Sequence, residues 1–337
     1  MVKSNNKLSK YSSSIDFVIL WVDPSDPIWK KQREKFSSLS GDKSEVRFRD
    51  FDNLKYLFRG IEKFAPWVNK VFFITWGHLP EWLDKNNEKL RIVSHEEFIP
   101  KKYLPTFNSN VIEMNLHNID DLSEKFVLLN DDIFILKRLQ KKDFFNGDCP
   151  NDMYIEYTKK NPSKRYITMK RNYLDIVNRH FDKKNFVKNN YKKIVNIKYG
   201  ISNIIRNLIN INKENFLDFY SDHLSKSFLK STFCNVWEQE CDVLDMACHN
   251  RFRSDTDVGQ MICRYFQLLT GQFFPSKSLG KYFEARDLKN VIRAIKNRRY
   301  KMICINDTVD DIDFELVKGK INSEFEKVFN EKSSFER

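Results

Sequence analysis

The hydrophobic pattern of the chain predicts a series of short buried strands, each ending in polar residues. Residues 15–22 (IDFVILWV) form an almost continuous apolar run that ends in the polar turn DPSDP. Residues 71–75 (VFFIT), 91–94, 126–129 (FVLL) and 302–305 (MICI) have the same character. Apolar runs of roughly four to eight residues, bounded by turn residues, are typical of strands in a sheet covered on both faces.

Helical spacing of apolar residues separates these strands. Leu54, Leu57, Phe58 and Ile61 fall on one helical face, and residues 111–119, residues 257–269 (DVGQMICRYFQLL) and a charged segment from about residue 311 also indicate helices. Strands that alternate with helices predict an α/β fold that is Rossmann-like, with a largely parallel sheet flanked by helices. Ligands of such sheets bind beyond the carboxyl ends of the strands.

The pattern divides the chain into a catalytic domain in two halves, an insertion and two tails. The middle region is rich in Lys and Asn and interrupts the alternation of strands and helices, so it is predicted to be a basic, mainly helical insertion. The predicted segments are a flexible tail at 1–14, the first half of the domain at 15–147, the insertion at 148–215, the second half at 216–310, and a charged tail with a frayed terminus at 311–337.

Composition excludes several classes of protein. Of the 337 residues 41% are hydrophobic, with 29 Phe against 9 Gly and 9 Pro, so the chain is neither disordered throughout nor collagen-like. No apolar run approaches the roughly 18 residues of a membrane span, and the basic, polar start has no apolar segment of a secretory signal. The six cysteines include no CxxC pair, which is typical of a reducing compartment. We expect a cytoplasmic protein.

The positive charge is concentrated in one stretch of the insertion. Residues 159–198 contain thirteen Lys/Arg against two acids, Asp175 and Asp182, within a chain whose net charge is +12. This stretch is either a solvated surface or a patch that binds an anionic polymer, a membrane surface or nucleic acid. Nucleic acid ranks last among these three partners, and we expect none.

Acidic residues follow three of the predicted strands. They are Asp23 and Asp26, then Asp131 and Asp132, and finally Asp307. Carboxylates gathered at one sheet edge repel one another unless a cation is present, and oxygen ligands of this kind suit Mg²⁺ or Mn²⁺. Asp also caps turns and helices, so each acid alone has a structural alternative. The triplet Asn-Asp-Asp is the strongest of these signals.

A second group of polar residues lies later in the chain, at His223 and in the segment HNRFRSDTDV. The segment contains Arg253 and Asp257, and arginine suits the delocalised charge of a phosphate, whereas histidine can accept a proton near neutral pH. The alternatives are a capping or buried His223 and an ion pair between Arg253 and Asp257. The glycine-rich motifs GxGxxG and GxxxxGK[ST] are absent from the sequence.

Long strings of the sequence resemble one family, the Stealth proteins. They are IDFVILWVDPSDPIW at 15–29, RFRDFDNLKYLFRGIEKF at 47–64, APW at 65–67, LPTFNSN at 104–110 and LSEKFVLLNDD at 122–132. Shorter matches are His223, FRSDTDV at 252–258 and CIND at 304–307. The family contains bacterial capsular polysaccharide phosphotransferases and the catalytic part of the animal N-acetylglucosamine-1-phosphotransferase. The resemblance covers about 15–147 and 220–310 and leaves the basic insertion unmatched.

The resemblance implies transfer of a hexosamine 1-phosphate from a UDP-N-acetylhexosamine to a hydroxyl of a capsular oligosaccharide, with release of UMP. It implies Mg²⁺ or Mn²⁺ as the cofactor. The implied site comprises Asp131, Asp132 and Asp307 for the metal, His223 as the general base, Arg253 on the transferred phosphate with Asp257 orienting it, and Asp16, Trp21, Arg47, Asp50 and Asn306 around the donor.

Two other functions fit the same residues. Asn-Asp-Asp after a strand is similar to the DxD-type motif of metal-dependent glycosyltransferases, which release UDP. A non-catalytic protein that binds an anionic polymer through the basic stretch is the other alternative. The same basic stretch allows contact with a growing polyphosphodiester, with a capsule-assembly complex or, peripherally, with the inner membrane.

Overall fold

A computed structural model describes residues 14–44, 49–158 and 164–337 of the chain. The predicted flexible tail at 1–14 lies almost wholly outside these residues. The strands are β1 Ile15–Leu20, β2 Val71–Thr75, β3 Leu90–Ser94, β4 Lys125–Asn130, β5 Ile133–Ile135, β6 Phe145–Asn146, β7 Cys149–Asp152, β8 Glu156–Tyr157, β9 Asp218–Phe219, β10 Lys226–Leu229, β11 Phe274–Pro275, β12 Gly280–Glu284 and β13 Met302–Asn306. The central sheet has five strands in the order β10-β4-β1-β2-β3. Strands β1 to β4 are mutually parallel, and β10 pairs antiparallel with β4.

Helices cover both faces of this sheet, as the sequence predicted. The α-helices are α1 Pro27–Lys35, α2 Leu54–Phe64, α3 His95–Phe98, α4 Ser109–Met114, α5 Lys141–Phe144, α6 Lys164–His180, α7 Lys183–Ile194, α8 Ile201–Asn210, α9 Lys230–Gln239, α10 Cys241–Cys248, α11 Met261–Leu269, α12 Leu288–Asn297 and α13 Phe314–Val328. The α/β class and the largely parallel sheet are confirmed.

Alternation along the strands divides the core into two apolar layers. Phe17 and Ile19 of β1 face the layer that contains α2, α12 and α13. Val18 faces the opposite layer, with residues of α4, α6, α7, α9 and α11. Side chains of a strand alternate between faces, so a strand buried on both sides needs apolar residues at nearly every position. This is why residues 15–20 read as a continuous apolar run.

A second sheet continues from the end of the central one. The chain leaves β4 at Asn130, passes through Asp131 and Asp132, and enters β5, which pairs antiparallel with β13; β13 pairs parallel with β12. Helix α2 packs closely on β5 at Gly60. A Cβ atom at Gly60 would lie 2.7 Å from the carbonyl oxygen of Ile135, so only glycine permits this approach.

The basic insertion is mainly helical, as predicted, and it is part of the core. Tyr173 and Val177 of α6 and Phe186 of α7 are buried in the second apolar layer. Several of its cations contact other elements of the structure. These contacts are Lys170 with Asp218, Arg179 with Glu240, Lys183 with Glu156, Lys193 with the Gly271 carbonyl and Lys198 with the Pro275 carbonyl.

Three boundaries differ from the sequence prediction. The helix expected at 257–269 begins only at Met261, because Asp257 is engaged in holding the preceding loop. The helix expected at 111–119 is α4 followed by a 3₁₀ turn at Leu116–Asn118. The prediction of a frayed C-terminus is wrong, because Phe335 is buried in the first apolar layer and Glu336 forms an ion pair with Arg59 of α2.

Within the described residues no helix is long and apolar enough to cross a bilayer.

Candidate active site

The carboxyl edge of the central sheet holds a group of acids around Asp131 and Asp132. The two residues form the turn between β4 and β5, and the backbone carbonyl of Asp132 accepts a hydrogen bond from Ile305 in β13. Partial desolvation by the surrounding protein, together with the charges of Asp132 and Asp50, raises the pKa of Asp131 to about 8, although water still reaches its surface. Burial also raises the pKa of Asp132, to about 6. The site therefore favours either protons or a cation on these carboxylates.

Asp50 and Trp21 form the neighbouring wall of the site. Trp21, the residue after β1, donates its indole N–H to Asp50 Oδ2 at 3.0 Å. Burial raises the pKa of Asp50, and the Trp21 hydrogen bond opposes this. The predicted donor-site residues Trp21 and Asp50 thus lie in contact with each other and next to the carboxylate of Asp131.

The strand β13 links the acids to the predicted base. The thiol of Cys304 donates to Asp132 Oδ2 at 3.3 Å, and burial raises the pKa of this thiol, which keeps its proton in place. Two residues on, the amide of Asn306 donates to the hydroxyl of Tyr282 at 3.1 Å. The ring of Tyr282 lies 5.2 Å from the ring of His223, centroid to centroid. His223 and Asn306 are therefore brought to the same edge as Asp132.

His223 is exposed and has an unusual backbone conformation. Its φ of +53° lies in the left-handed region, which few residues other than glycine adopt. The preceding residue, Asp222, holds the loop in this shape by accepting hydrogen bonds from Lys226 and, at 2.7 Å, from Ser278. Burial opposes ionisation of Asp222, but the Lys226 charge holds its pKa below the ordinary value. Strained residues that the surroundings fix in this way occur often at functional sites.

The structure does not assemble the predicted group of three metal-binding carboxylates. Asp307 forms an ion pair with Arg49 at 2.7 Å and accepts from the backbone N–H of Val309. In the described part of the chain no group of three or more His, Cys, Asp or Glu side chains is positioned for a metal ion. A different observation supports a cation at Asp131 and Asp132. The Oδ1 atom of Asp132 is buried and has no hydrogen-bond partner among the described residues.

Arg253 and Asp257 lie on one loop, beside the start of α4. The guanidinium of Arg253 donates to Ser109 Oγ at 2.7 Å, and its charge opposes the burial that raises the pKa of Glu113 to about 7. Asp257 is buried and accepts from the backbone N–H of Ser254. It also accepts from the side-chain amides of Asn108, Asn110 and Asn250. Asp257 thus fixes the loop that carries Arg253.

Other predicted residues lie elsewhere. Asp16 is at the start of β1, the opposite end of the strand from Trp21, and its carboxylate accepts from Asn69, Lys70 and Ser123. This position gives Asp16 a structural role and does not support contact with a donor. Asp26 caps α1 and Asp23 accepts a hydrogen bond from Ser25, so both acids have the capping and turn roles that were the alternative to metal binding. Arg47 lies outside the described residues.

Three residues that complete the site were not predicted from the sequence. Tyr282 lies in the short strand β12, which the apolar pattern did not reveal, and its hydroxyl bridges towards Asn306. Cys304 lies within the apolar run at 302–305, a pattern that predicts a core residue. The ion pair of Asp222 could have been predicted, because Lys226 follows it by four residues. Its contact with Ser278 could not, because only the folded chain brings these two residues together.

Two family models and several known proteins match the sequence of this chain. Family models for Stealth protein CR1, conserved region 1, and Stealth protein CR2, conserved region 2, match residues 13–41 and 47–153. The capsular polysaccharide phosphotransferase WcwK of Streptococcus pneumoniae is 42% identical over 97% of this chain and 99% of its own length. The exopolysaccharide phosphotransferase cps2G of Lactiplantibacillus plantarum is 36% identical over 96% of both chains. The receptor polysaccharide phosphotransferase WefC of Streptococcus gordonii is 35% identical over 96% of this chain and 98% of its own.

These relatives define the class: the protein is an enzyme, a transferase of the phosphotransferase type. The chain belongs to the Stealth family. Among solved structures, the galactosyltransferase LgtC in complex with donor and acceptor sugar analogs matches 91% of this chain and 95% of its own at a TM-score of 0.39 and 10% identity. A likeness this distant says nothing about activity.

Proposed function

We propose that this enzyme transfers a hexosamine 1-phosphate from a UDP-N-acetylhexosamine to a hydroxyl of a capsular oligosaccharide. The acceptor oxygen attacks the phosphorus that carries the sugar, and the bond from that phosphorus to the oxygen bridging the two phosphates breaks. UMP leaves with that oxygen, and the acceptor hydroxyl gives up its proton. The product contains one phosphodiester for each residue added.

One observation carries the proposal: the exposed His223 is connected through Tyr282 to Asn306, on the strand that also contacts Asp132. A general base and a set of acids that favour a cation thus share one sheet edge. Transfer of a phosphoryl group depends on positioning and on stabilisation of charge, which such an edge can supply.

Each group has a role in the proposal. His223 accepts the proton of the acceptor hydroxyl. The hydrogen bonds that Asp222 accepts from Lys226 and Ser278 fix the loop that carries His223. Asp131 and Asp132 would hold Mg²⁺ or Mn²⁺, which would neutralise charge on the donor diphosphate. Trp21, Asp50 and Asn306 border the donor. The residues proposed for the transferred phosphate are Arg253 and, through the loop that it fixes, Asp257.

The proposal is tested by single variants with matched controls. His223→Gln and Asp132→Asn each keep the size of the side chain, and both should retain the fold while losing at least about 100-fold in turnover. His249→Gln and Asp120→Asn change an exposed residue of the same kind away from the site and should keep wild-type turnover. Wild-type turnover by a folded His223→Gln variant would remove this residue from the mechanism.

A further inference from the structure

The helix α8 carries its apolar and polar side chains in the reverse of the usual arrangement. A surface helix normally buries its apolar stripe and exposes its polar face. Here Asn207 and Asn210 are buried, whereas every aliphatic residue of the helix except the half-buried Ile204 is exposed. The exposed fractions are 77% for Ile197, 71% for Ile201, 52% for Ile205, 41% for Leu208 and 71% for Ile209.

Hydrogen bonds fix this orientation. The amide of Asn207 donates to the carbonyls of Tyr154 at 2.7 Å and Ile194 at 2.9 Å, and its oxygen accepts from the backbone N–H of Glu156 at 3.0 Å. Asn210 donates to the carbonyl of Glu156. Turning the isoleucines inwards would leave these buried backbone groups without partners, which is costly. The hydrogen bonds of Asn207 and Asn210 therefore keep the aliphatic stripe of α8 exposed.

The exposed residues form one continuous face. Ile201, Ile205 and Ile209 recur every four residues of α8, so they lie above one another along the helix, and the exposed Ile197 lies in the turn Ile197–Tyr199 that precedes it. Single exposed aliphatic residues are common on proteins, but a contiguous row indicates a surface that binds something apolar.

The positive charge of the segment around this face favours an anionic partner. Residues 183–213 contain eight Lys or Arg and no Asp or Glu. One of the eight, Lys183, is buried against Glu156. Six others are exposed, and one of these six, Lys198, donates to the Pro275 carbonyl: Lys184, Lys188, Lys192, Lys198, Arg206 and Lys213. An aliphatic stripe in a segment with only positive side chains is the composition of helices that lie in the interface of anionic membranes.

We propose that α8 and the turn before it dock the enzyme onto an anionic lipid bilayer. The isoleucine stripe enters the boundary between headgroups and acyl chains, and the cations of residues 184–213 contact lipid phosphates. This inference goes beyond the proposed reaction and does not depend on it. Two copies of the chain paired through this face would bring like charges together, and one stripe is far smaller than the roughly 20 to 30 residues a side of a stable interface.

Vesicle flotation with the full chain tests the docking. The protein should float with vesicles of phosphatidylcholine mixed with phosphatidylglycerol at low salt, and much less with pure phosphatidylcholine or at high salt. Ile201→Gln combined with Ile209→Gln should lower the partition coefficient at least about 10-fold, because two aliphatic side chains no longer leave water. Both sites are exposed, so the variant should keep the wild-type circular dichroism spectrum and melting temperature.

A matched pair of changes controls for general loss of surface hydrophobicity. Met246 and Leu316 are also exposed helical residues, at 66% and 58%, and Met246→Gln combined with Leu316→Gln should bind as the wild type does. Failure of the wild type to float with anionic vesicles would overturn the proposal. Equal binding to both vesicle types, or unchanged binding by the Ile201/Ile209 variant, would also overturn it. Dimerisation that depends on these isoleucines, without vesicle binding, would assign the face to a second copy.

Discussion

At Asp132 one carboxylate oxygen, Oδ2, accepts from Cys304, while the other, Oδ1, is buried and without a hydrogen-bond partner among the described residues. A buried carboxylate oxygen in this state costs free energy unless a proton or a cation satisfies it. Asp131, beside it, is reached by water at its surface but faces the charges of Asp132 and Asp50. Both residues thus favour a positive charge between them.

The pH dependence of stability should show this. In the absence of metal, the folded state keeps the Asp131 proton up to a pH of about 8, whereas an ordinary carboxyl loses it near 3.8. Folded stability therefore falls as the pH rises through that interval, and it levels off above. Asp131→Asn should remove part of this slope and be more stable than wild type at pH 8 by about 1 kcal/mol, a modest figure because water reaches the group.

Denaturant unfolding in EDTA at several pH values measures this difference. Addition of Mg²⁺ or Mn²⁺ should then raise the melting temperature of the wild type and not that of Asp131→Asn, because a ligand of the folded state stabilises it. The same pH slope in both proteins, with equal effects of metal, would show that Asp131 neither holds a proton nor contacts a cation.

His223 should affect the chemical step and not donor binding. His223→Ala removes the group proposed to accept the acceptor proton, so kcat should fall by about 10² to 10⁴ while the Kd for the nucleotide sugar stays unchanged. Isothermal titration calorimetry and turnover measurements separate the two quantities. A rise in Kd with an unchanged kcat would instead make His223 a donor-binding residue.

At the scale of elements, the strands and their polar ends were predictable from local sequence. Residues 15–20 and 126–129 are apolar at every position but Asp16, so burial on both faces follows directly from the pattern. The partners of the acids and cations were not predictable, because they are distant in sequence. Asp307 pairs with Arg49, and Lys183 with Glu156, through contacts that only the folded chain creates.

The C-terminal segment illustrates the same difference. Its charged composition suggested a frayed end, yet Phe335 packs edge-on against Phe58 of α2 at 5.2 Å between ring centroids. Phe335→Ala should destabilise the fold by about 3 kcal/mol, because a large buried side chain is removed. Leu316→Ala, at an exposed position of α13, should change stability by less than about 0.5 kcal/mol in the same unfolding experiment. Equal, small effects would indicate that the terminus frays in solution.

The basic insertion is a structural element as well as a charged one. Lys183 and Glu156 are both buried, with their charged atoms 2.7 Å apart. Lys183→Met should destabilise the protein by about 3 kcal/mol or more, since it leaves the Glu156 carboxylate buried without its partner. The exposed neighbour Lys184→Met should change little. If urea unfolding gave the same midpoint for both variants, the pair would contribute nothing to the fold.

At the scale of the whole molecule, the candidate active site and the proposed membrane surface lie in different parts of the chain. The candidate active site draws on strand ends from both halves of the domain, at Asp131 and at Asn306, with His223 between them in sequence. The proposed membrane surface lies in the insertion that separates those halves. Docking through this surface would hold the enzyme at a bilayer while the strand ends carry the reaction.

The bond that is broken tests the account most directly. The purified protein is incubated with UDP-N-acetylglucosamine or UDP-N-acetylmannosamine, Mg²⁺ and short capsule oligosaccharides, and the released nucleotide is identified together with the phosphorus content of the product. We predict UMP and a product that gains one phosphodiester for each sugar added. Release of UDP with a phosphorus-free product would contradict this and establish a glycosyltransferase on the same site.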